Sequence, residues 1–493
     1  MKKLSRRRML TRTLAASASL ILPRRPKAQR QTSVSSPYPL AVSSNGRYLV
    51  TTQGQPFLMV ADSCQGGAVE SLTDFEYYLD VRQSQGFNTI QFNLIATPYV
   101  GNTNPDYQTN SGIAPFTGAK VVTPNPTYFS LMQEFVSLMA RYGMVAWLNP
   151  YETGLGRTGG MRDLVAAGAS ACRTYGEYVA NLFMDHPNVM WHFGNDYEGG
   201  RNDPYLAALM GGVRSVAPKQ LRGGELSFSP GDNNPSNSFG YSPNLVSYLN
   251  LNGTYSYGPV YYENIIAYNS PSVSFDGRSG NNTVPPSPVI LVETGYEFNR
   301  NLDNYDLGTA RNLRLAAWWN YLSGACGYIY GNGFTATTFL KDTTTGIVGS
   351  YNQIRPYWKN NLKTAAADQF AEILKSFFTS IAWYNLIPDQ THIVGTAGYG
   401  IPSPNNPYAS NNYVTVAATG DGSLAVAYFP QGNSNAITVN MASFAGSVMA
   451  QWFDPTNGTF STVGTFSNSG SHNFSPSGNN GAGDFDWVLL LTT

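Results

Sequence analysis

Between residues 47 and 380 short apolar runs alternate with longer stretches whose apolar residues recur at helical spacing. That alternation predicts parallel strands joined by crossover helices. The runs that read as strands are Phe57–Ala61, Phe87–Leu94, Met144–Leu148, Val189–Phe193, Leu221–Leu226, Tyr248–Asn252, Val289–Val292 and Gly327–Tyr330. Helical stretches between them include Leu72–Gln85, Tyr128–Tyr142, Arg162–Met184 and Arg311–Leu322. Eight strands with intervening helices predict an α/β fold, a (β/α)8 TIM barrel with long loops. A doubly wound sheet is the alternative, but no G-x-G-x-x-G or Walker loop follows the first strand. A hairpin leads in, with turns at Asn45-Gly46 and Gln53-Gly54.

Past a Pro/Asn/Ser-rich stretch at 399–412 the period changes to two. Tyr413–Ala418, Leu424–Phe429, Ala436–Val439, Val448–Phe453 and Trp487–Leu491 read as short strands, with turns at Asp421-Gly422 and Asn457-Gly458. The expected organisation is a barrel over 37–398, a linker over 399–412 and a small all-β sandwich over 413–493.

Composition narrows the class of partner. Thirty basic and thirty acidic residues cancel, and no basic tract follows the N-terminal region, so no nucleic-acid partner is expected. Aromatic residues (13%) outnumber charged ones (12%), a balance that suits stacking against sugar faces and points to a carbohydrate partner. At the N-terminus Ser5-Arg6-Arg7-Arg8-Met9-Leu10 precedes a weakly apolar run, Leu14 to Leu22, followed by Arg24, Arg25 and Lys27. The run is too short for a permanent membrane anchor, and the paired arginines resemble a Tat export signal, an Arg-rich Sec signal being the alternative. Residues 1–36 are therefore read as signal and leader, with cleavage near Ala28, and the protein as exported to the periplasm or beyond. Cys64, Cys172 and Cys326 lack metal-site spacing and lie in apolar or small-residue stretches, so buried free thiols are expected. Four scattered histidines form no ligand motif; neither a catalytic metal nor a cofactor is expected.

In a barrel, functional side chains sit where strands end and loops converge. Val189-Met190-Trp191-His192-Phe193-Gly194-Asn195-Asp196 and Val289-Ile290-Leu291-Val292-Glu293 are apolar runs that close on a carboxylate. The two acids stand 97 residues apart, and three βα units of a barrel take roughly 94. The spacing puts them on strands four and seven, facing each other across the mouth. Glycoside cleavage needs such a pair, one to protonate the leaving oxygen and one to meet the developing cation. An acid directly after four aliphatics is costly unless it is used or paired, which favours Glu293. Glu152 and Glu297 are rival carboxylates, and Glu198 is a rival for the acid.

A family resemblance covers nearly the whole chain beyond the leader. Asn45-Gly46-Arg47-Tyr48-Leu49-Val50, Gly86-Phe87-Asn88-Thr89-Ile90-Gln91, Gly194-Asn195-Asp196, Glu293-Thr294-Gly295-Tyr296-Glu297, Gly324-Ala325-Cys326-Gly327-Tyr328-Ile329-Tyr330-Gly331 and Leu386-Ile387-Pro388-Asp389-Gln390 follow in order the motifs of the apiosidase-like glycoside hydrolases. Trp452-Phe453-Asp454-Pro455-Thr456-Asn457-Gly458 and Asp486-Trp487-Val488-Leu489 resemble the collagen-binding-type sandwich that usually follows that barrel. The resemblance implies an acid/base at Asp196 and a nucleophile at Glu293. The chain departs from the family pattern at Asn195, Thr294, Gln65 and Asn332, which are read as pocket-wall positions that bear on substrate identity.

Supporting positions follow from the same placement. Asp62, Asn93 and Asn149 close the first three strands and suit sugar hydroxyls, capping or turn roles being open. Asn195 suits the 2-hydroxyl. Tyr255 and Tyr257 suit orientation of the nucleophile, and Tyr330 the floor of the site, with core packing the alternative for each. Retaining, exo-acting cleavage of plant-type polysaccharide side chains leads; an endo-acting glycanase and a non-catalytic carbohydrate-binding adhesin are the alternatives.

Overall fold

In the computed structural model the central alternation resolves into a parallel sheet that curls almost shut. Its strands are β1 (Met59–Cys64), β2 (Thr89–Asn93), β3 (Val145–Asn149), β4 (Val189–Gly194), β5 (Arg222–Glu225), β6 (Asn252–Tyr255), β7 (Val289–Glu293) and β8 (Ala325–Tyr330). The hydrogen-bonded order runs β5-β4-β3-β2-β1-β8-β7-β6, with a short antiparallel strand at Ser236–Asn237 beyond β6. Between β5 and β6 there is no ladder, yet the N–H groups of Asn250 and Leu251 both donate to the Arg222 carbonyl, at 2.7 and 3.1 Å. The structure describes residues 36–493 apart from 101, 103, 155–158, 198, 227–235, 270–285, 299–307, 334, 336–346, 349–352, 355–357, 390–410 and 432–435. The residues read as an export signal, Glu198 and most of 399–412 lie outside the described residues.

Strand alternation sorts side chains between two cores. Met59, Ala61, Trp147, Met190, Ile290 and Val292 point into the barrel, while Val60, Leu291, Tyr328 and Tyr330 face the surrounding helices. The lead-in hairpin pairs Ala41–Val42, Leu49–Val50 and Pro56–Phe57, and its Leu49, with Tyr38 and Leu40, joins the interior cluster. Tyr38 donates to the carbonyl of Gly143, just before β3, so this segment closes the amino end of the barrel. The opposite end is left for chemistry.

Two expected elements differ. The stretch 162–184 is two helices, Met161–Ala167 and Ala169–Phe183, because Gly168 takes φ +84° between them. The sixth strand starts at Asn252 rather than Tyr248, since Pro243–Tyr248 winds into a 3-10 helix. The helix Leu72–Gln85 keeps its expected bounds: the Ser71 hydroxyl accepts from the Asp74 N–H, and Gly86 ends it at φ +107°.

The C-terminal strands are all antiparallel. A six-stranded sheet runs β9 (Leu386–Pro388), β10 (Thr415–Thr419), β11 (Leu424–Phe429), β16 (Trp487–Thr492), β13 (Val448–Phe453) and β14 (Phe460–Phe466). A second sheet pairs β12 (Ile437–Asn440) with β15 (Ser471–Phe474). β9, β14 and β15 were not expected from the pattern; β14 is an exposed edge strand with little apolar alternation to mark it. One face of the large sheet packs on barrel helices: Trp318 stacks on Tyr428 at 5.7 Å and also meets Phe377 and Phe453. Trp452 packs against Phe429 with the inter-sheet core. Residues 37–493 form one compact unit. Cys64, Cys172 and Cys326 are buried free thiols, as expected. No helix among the described residues is long and apolar enough to cross a membrane.

Candidate active site

The carboxyl end of the barrel gathers three acids. One carboxylate oxygen each from Asp196, Glu225 and Glu293 lies within 4.8 Å of the other two. Asp196 follows β4, Glu225 ends β5 and Glu293 ends β7. Asp196 is partly open, whereas Glu225 and Glu293 are buried.

Backbone irregularity aims two of them. Along β6 and β7 the register slips between Thr254, opposite Leu291, and Tyr255, opposite Glu293. Val292 is the extra residue, and a bulge of this kind re-aims the side chain that follows. Glu293 thereby meets Tyr255 instead of the helices that its neighbour Leu291 faces. At β4, Gly194, Asn195 and Asp196 take φ of +103°, +77° and +49° in succession. Two of these are ordinary L-residues in a sparsely populated region, which surrounding contacts must enforce. A Cβ on Gly194 would come within 2.1 Å of the Glu225 carbonyl, so only glycine fits there. Asn195 Oδ1 accepts from His192 Nε2 at 2.8 Å, from Gln91 at 3.2 Å and from Asn149 at 3.3 Å. Thr153 binds the Asn195 carbonyl through its hydroxyl and the Gly194 carbonyl through its N–H. Burial holds His192 down at about 4, so the ring is neutral and carries its hydrogen on Nε2 to serve Asn195.

Three phenols surround Glu293. Tyr255 lies 3.0 Å from Oε1, Tyr257 also donates to Oε1, and Tyr296 donates to Oε2 at 2.7 Å. Gly331 makes room for Tyr296, whose ring would stand 1.7 Å from any Cβ there. Burial pushes Glu293 up to about 8, the Asp196 charge adds to this, and the three hydroxyls pull the other way. Burial, then the charges of Glu293 and Asp196, drives Glu225 well above the ordinary carboxylate range. Burial likewise pushes Glu152 up to about 8; its Oε2 accepts from Thr97 and its Oε1 has no partner among the described residues.

Of the residues singled out from sequence, the mouth collects Asp196, Glu293, Asn149, Asn195, Tyr255 and Tyr257. Asn93 lies on the inward-facing side of β2 with Gln91, and both its side-chain polar atoms lack partners among the described residues. Asp62 and Tyr330 go elsewhere. Asp62 turns outward into an ion pair with Arg82 at 2.6 Å and a bond from Tyr78. Tyr330 stacks on Phe370 and donates to Glu297, which Thr364 and Asn332 also hold. Both belong to the barrel–helix layer, the face that strand alternation assigns to them. The rival Glu297 is thus a bonded structural acid, and Asn332 is its partner. Gln65 does reach the mouth, 3.5 Å from the Tyr296 hydroxyl. Sequence reasoning missed Glu225 and Tyr296. Glu225 lies inside the expected strand Leu221–Leu226, one residue before its end, so a search for acids directly after a strand passes over it; Tyr296 lies inside the 293–297 motif.

This geometry can be set beside known proteins. A family model described as "Apiosidase-like, catalytic domain" matches residues 43–385, and one described as "Putative collagen-binding domain of a collagenase" matches 387–492. A solved structure titled "Glycoside hydrolase" superposes with a TM-score of 0.72 at 20% identity, covering 92% of this chain and 96% of that one. A glycoside hydrolase family 5 structure from Bacteroides vulgatus gives 0.71 at 20% identity, covering 92% and 93%. Among curated proteins, none matches the sequence. Barrel and family match together define a glycoside hydrolase. Within that class the chain belongs to the apiosidase-like family.

Proposed function

We propose that this enzyme cleaves glycosides with retention of configuration, Asp196 serving as acid/base and Glu293 as nucleophile. One observation carries the reading: the Tyr255 hydroxyl sits 2.8 Å from Asp196 Oδ1 and 3.0 Å from Glu293 Oε1. A phenol has a single hydrogen to donate, so two ionised carboxylates would leave one of these contacts between lone pairs. One acid therefore holds a proton and donates it to Tyr255. Tyr257 and Tyr296 also donate to Glu293 and oppose the burial that raises it to about 8, so the reactive form, reached as pH rises through that value, has Glu293 as the anion and Asp196 as the proton carrier. That is the state a retaining enzyme needs. Asp196 protonates the leaving oxygen while Glu293 attacks the anomeric carbon; Asp196 then takes a proton from the water that releases the sugar.

Spacing supports the same outcome. Retaining pairs stand about 5–5.5 Å apart and inverting pairs about 6.5–9.5 Å, and the oxygens here approach within 4.8 Å. Asn93 and the Nδ2 of Asn195 present polar atoms without partners among the described residues, suited to sugar hydroxyls. We further propose exo-acting cleavage of plant-type polysaccharide side chains, in keeping with an apiosidase-like family, and export by the twin-arginine route that Arg6 and Arg7 suggest. NMR of the first-formed anomer is the test, run on the sugar released from a panel of pectic and hemicellulosic glycans. A retained anomer from chain ends is the expected result. An inverted product makes Glu293 a base, oligosaccharide products make the enzyme endo-acting, and binding without turnover makes it an adhesin.

A further inference from the structure

Glu225 is a third carboxyl in a site whose chemistry uses two. Its Oε1 accepts the backbone N–H of Asp196, the last residue of the left-handed turn at φ +103°, +77° and +49°. Its Oε2 has no partner among the described residues although the side chain is 1% exposed. The rest of the turn is already anchored by Asn195 and Thr153, but those bonds hold residues 194 and 195. The Asp196 N–H is the group that decides where the Asp196 carboxyl points, and Glu225 is what holds it.

We propose that Glu225 is the positioning residue of the acid/base: its Oε1 clamps the Asp196 N–H, and so keeps the Asp196 carboxyl against Tyr255, 2.8 Å away. This rests on the reading of Asp196 as the proton donor. Because an ordinary L-residue at φ +49° is held against its preference, loss of the clamp lets the turn relax and the carboxyl swing away. A displacement of about 1 Å at a reacting group costs on the order of 100-fold in rate. The clamp needs an acceptor and no charge. Burial and the two neighbouring acids raise Glu225 well above the ordinary carboxylate range, which favours its neutral form beside them.

The test compares E225Q, E225L and D196N on 2,4-dinitrophenyl and phenyl glycosides of the sugar the enzyme releases. E225Q keeps an acceptor in place and loses less than about tenfold on both substrates. E225L loses about 100-fold on the phenyl glycoside, whose leaving group needs a proton, and less than about tenfold on the dinitrophenyl one. D196N shows the same split, and the D196N/E225L double variant adds little to it, as expected for residues acting as one unit. In crystals of E225L, Asp196 leaves its positive-φ conformation, whereas E225Q retains it. Equal loss on both substrates by E225L, or an E225Q loss as deep as that of E293Q, overturns the proposal. If D196N itself shows no split, the acid/base reading falls; a split in D196N without one in E225L defeats the clamp alone.

Discussion

Where the sandwich meets the barrel, Arg314 receives Asp486 on two prongs at 2.6 and 2.7 Å and Asp484 at 2.7 Å. At the barrel mouth, Glu225 and Glu293 lie beside Asp196, and no lysine or arginine pairs with either glutamate among the described residues. Both places bury carboxylates. At the junction Tyr428 and Asn480 complete the shell around Asp486, and although burial works against the Arg314 charge, the acids more than offset it. At the mouth, hydroxyls and a backbone N–H do the solvating, and burial raises the proton affinity of Glu225 and Glu293. A buried acid with a cation is architecture; buried acids that must share protons are reactive groups in waiting.

Substitutions that convert acid to amide, or remove the cation, separate the two cases. The largest effect is expected for Glu293→Gln: kcat/KM falls by about 10⁴-fold or more, the scale of losing a nucleophile. Its thermal midpoint at pH 8 does not fall, because no cation is left unpaired. Steady-state kinetics and calorimetry on one preparation check both halves. Arg314→Met strands Asp486 in the interior and costs about 3–5 kcal/mol of stability, read by chemical denaturation. The molecules that remain folded keep the parent kcat/KM, since Arg314 touches the sandwich and not the mouth. A loss of activity without loss of stability would break the division between the two regions.

Smaller effects refine the mouth itself. Tyr257→Phe removes a donor to the Glu293 anion, so the Glu293 pKa rises further above 8. The ascending limb of kcat/KM against pH should move upward, with about a 10- to 100-fold loss at pH 6, the worth of a hydrogen bond to a charged group. Stability should also carry a signature of these acids. Glu152 and Glu293 titrate near 4.5 when unfolded and at about 8 when folded. Between those values the native state binds more protons than the unfolded one, so stability declines as pH rises through the window. Each such group contributes a slope of up to about 1.4 kcal/mol per pH unit. Glu152→Gln should flatten the decline, as measured by denaturation at pH 5, 6.5 and 8; a curve as steep as the parent's would mean Glu152 is already ionised.

Much of this was legible in the chain. β4 and β7 announced themselves as apolar runs closing on an acid, and the 97-residue interval between Asp196 and Glu293 matched the pitch of βα units. Tyr255 and Tyr257 were expected beside Glu293, and their hydroxyls lie against its Oε1. The same rule, applied to every strand-ending acid, also selected Asp62, which faces the helices and Arg82. Glu225 escapes that rule because Leu226 follows it and prolongs the expected strand, whereas the observed strand ends at Glu225 itself.

What the sequence determined by itself is the order of elements and the strand ends that carry acids, since both are local. Hydrophobic periodicity sets helix against strand, and the residue after an apolar run stands at the loop-bearing rim. Which way each rim residue points was decided only by the tertiary structure. The slip between β6 and β7 turns Glu293 to the mouth, the positive-φ turn after β4 turns Asp196 there, and plain alternation turns Asp62 and Tyr330 away. Those directions depend on cross-strand neighbours: a Glu225 carbonyl that admits only glycine at 194, and a Tyr296 ring that admits only glycine at 331. Such contacts join residues far apart in the chain, and exist only once the barrel has curled round to bring them together.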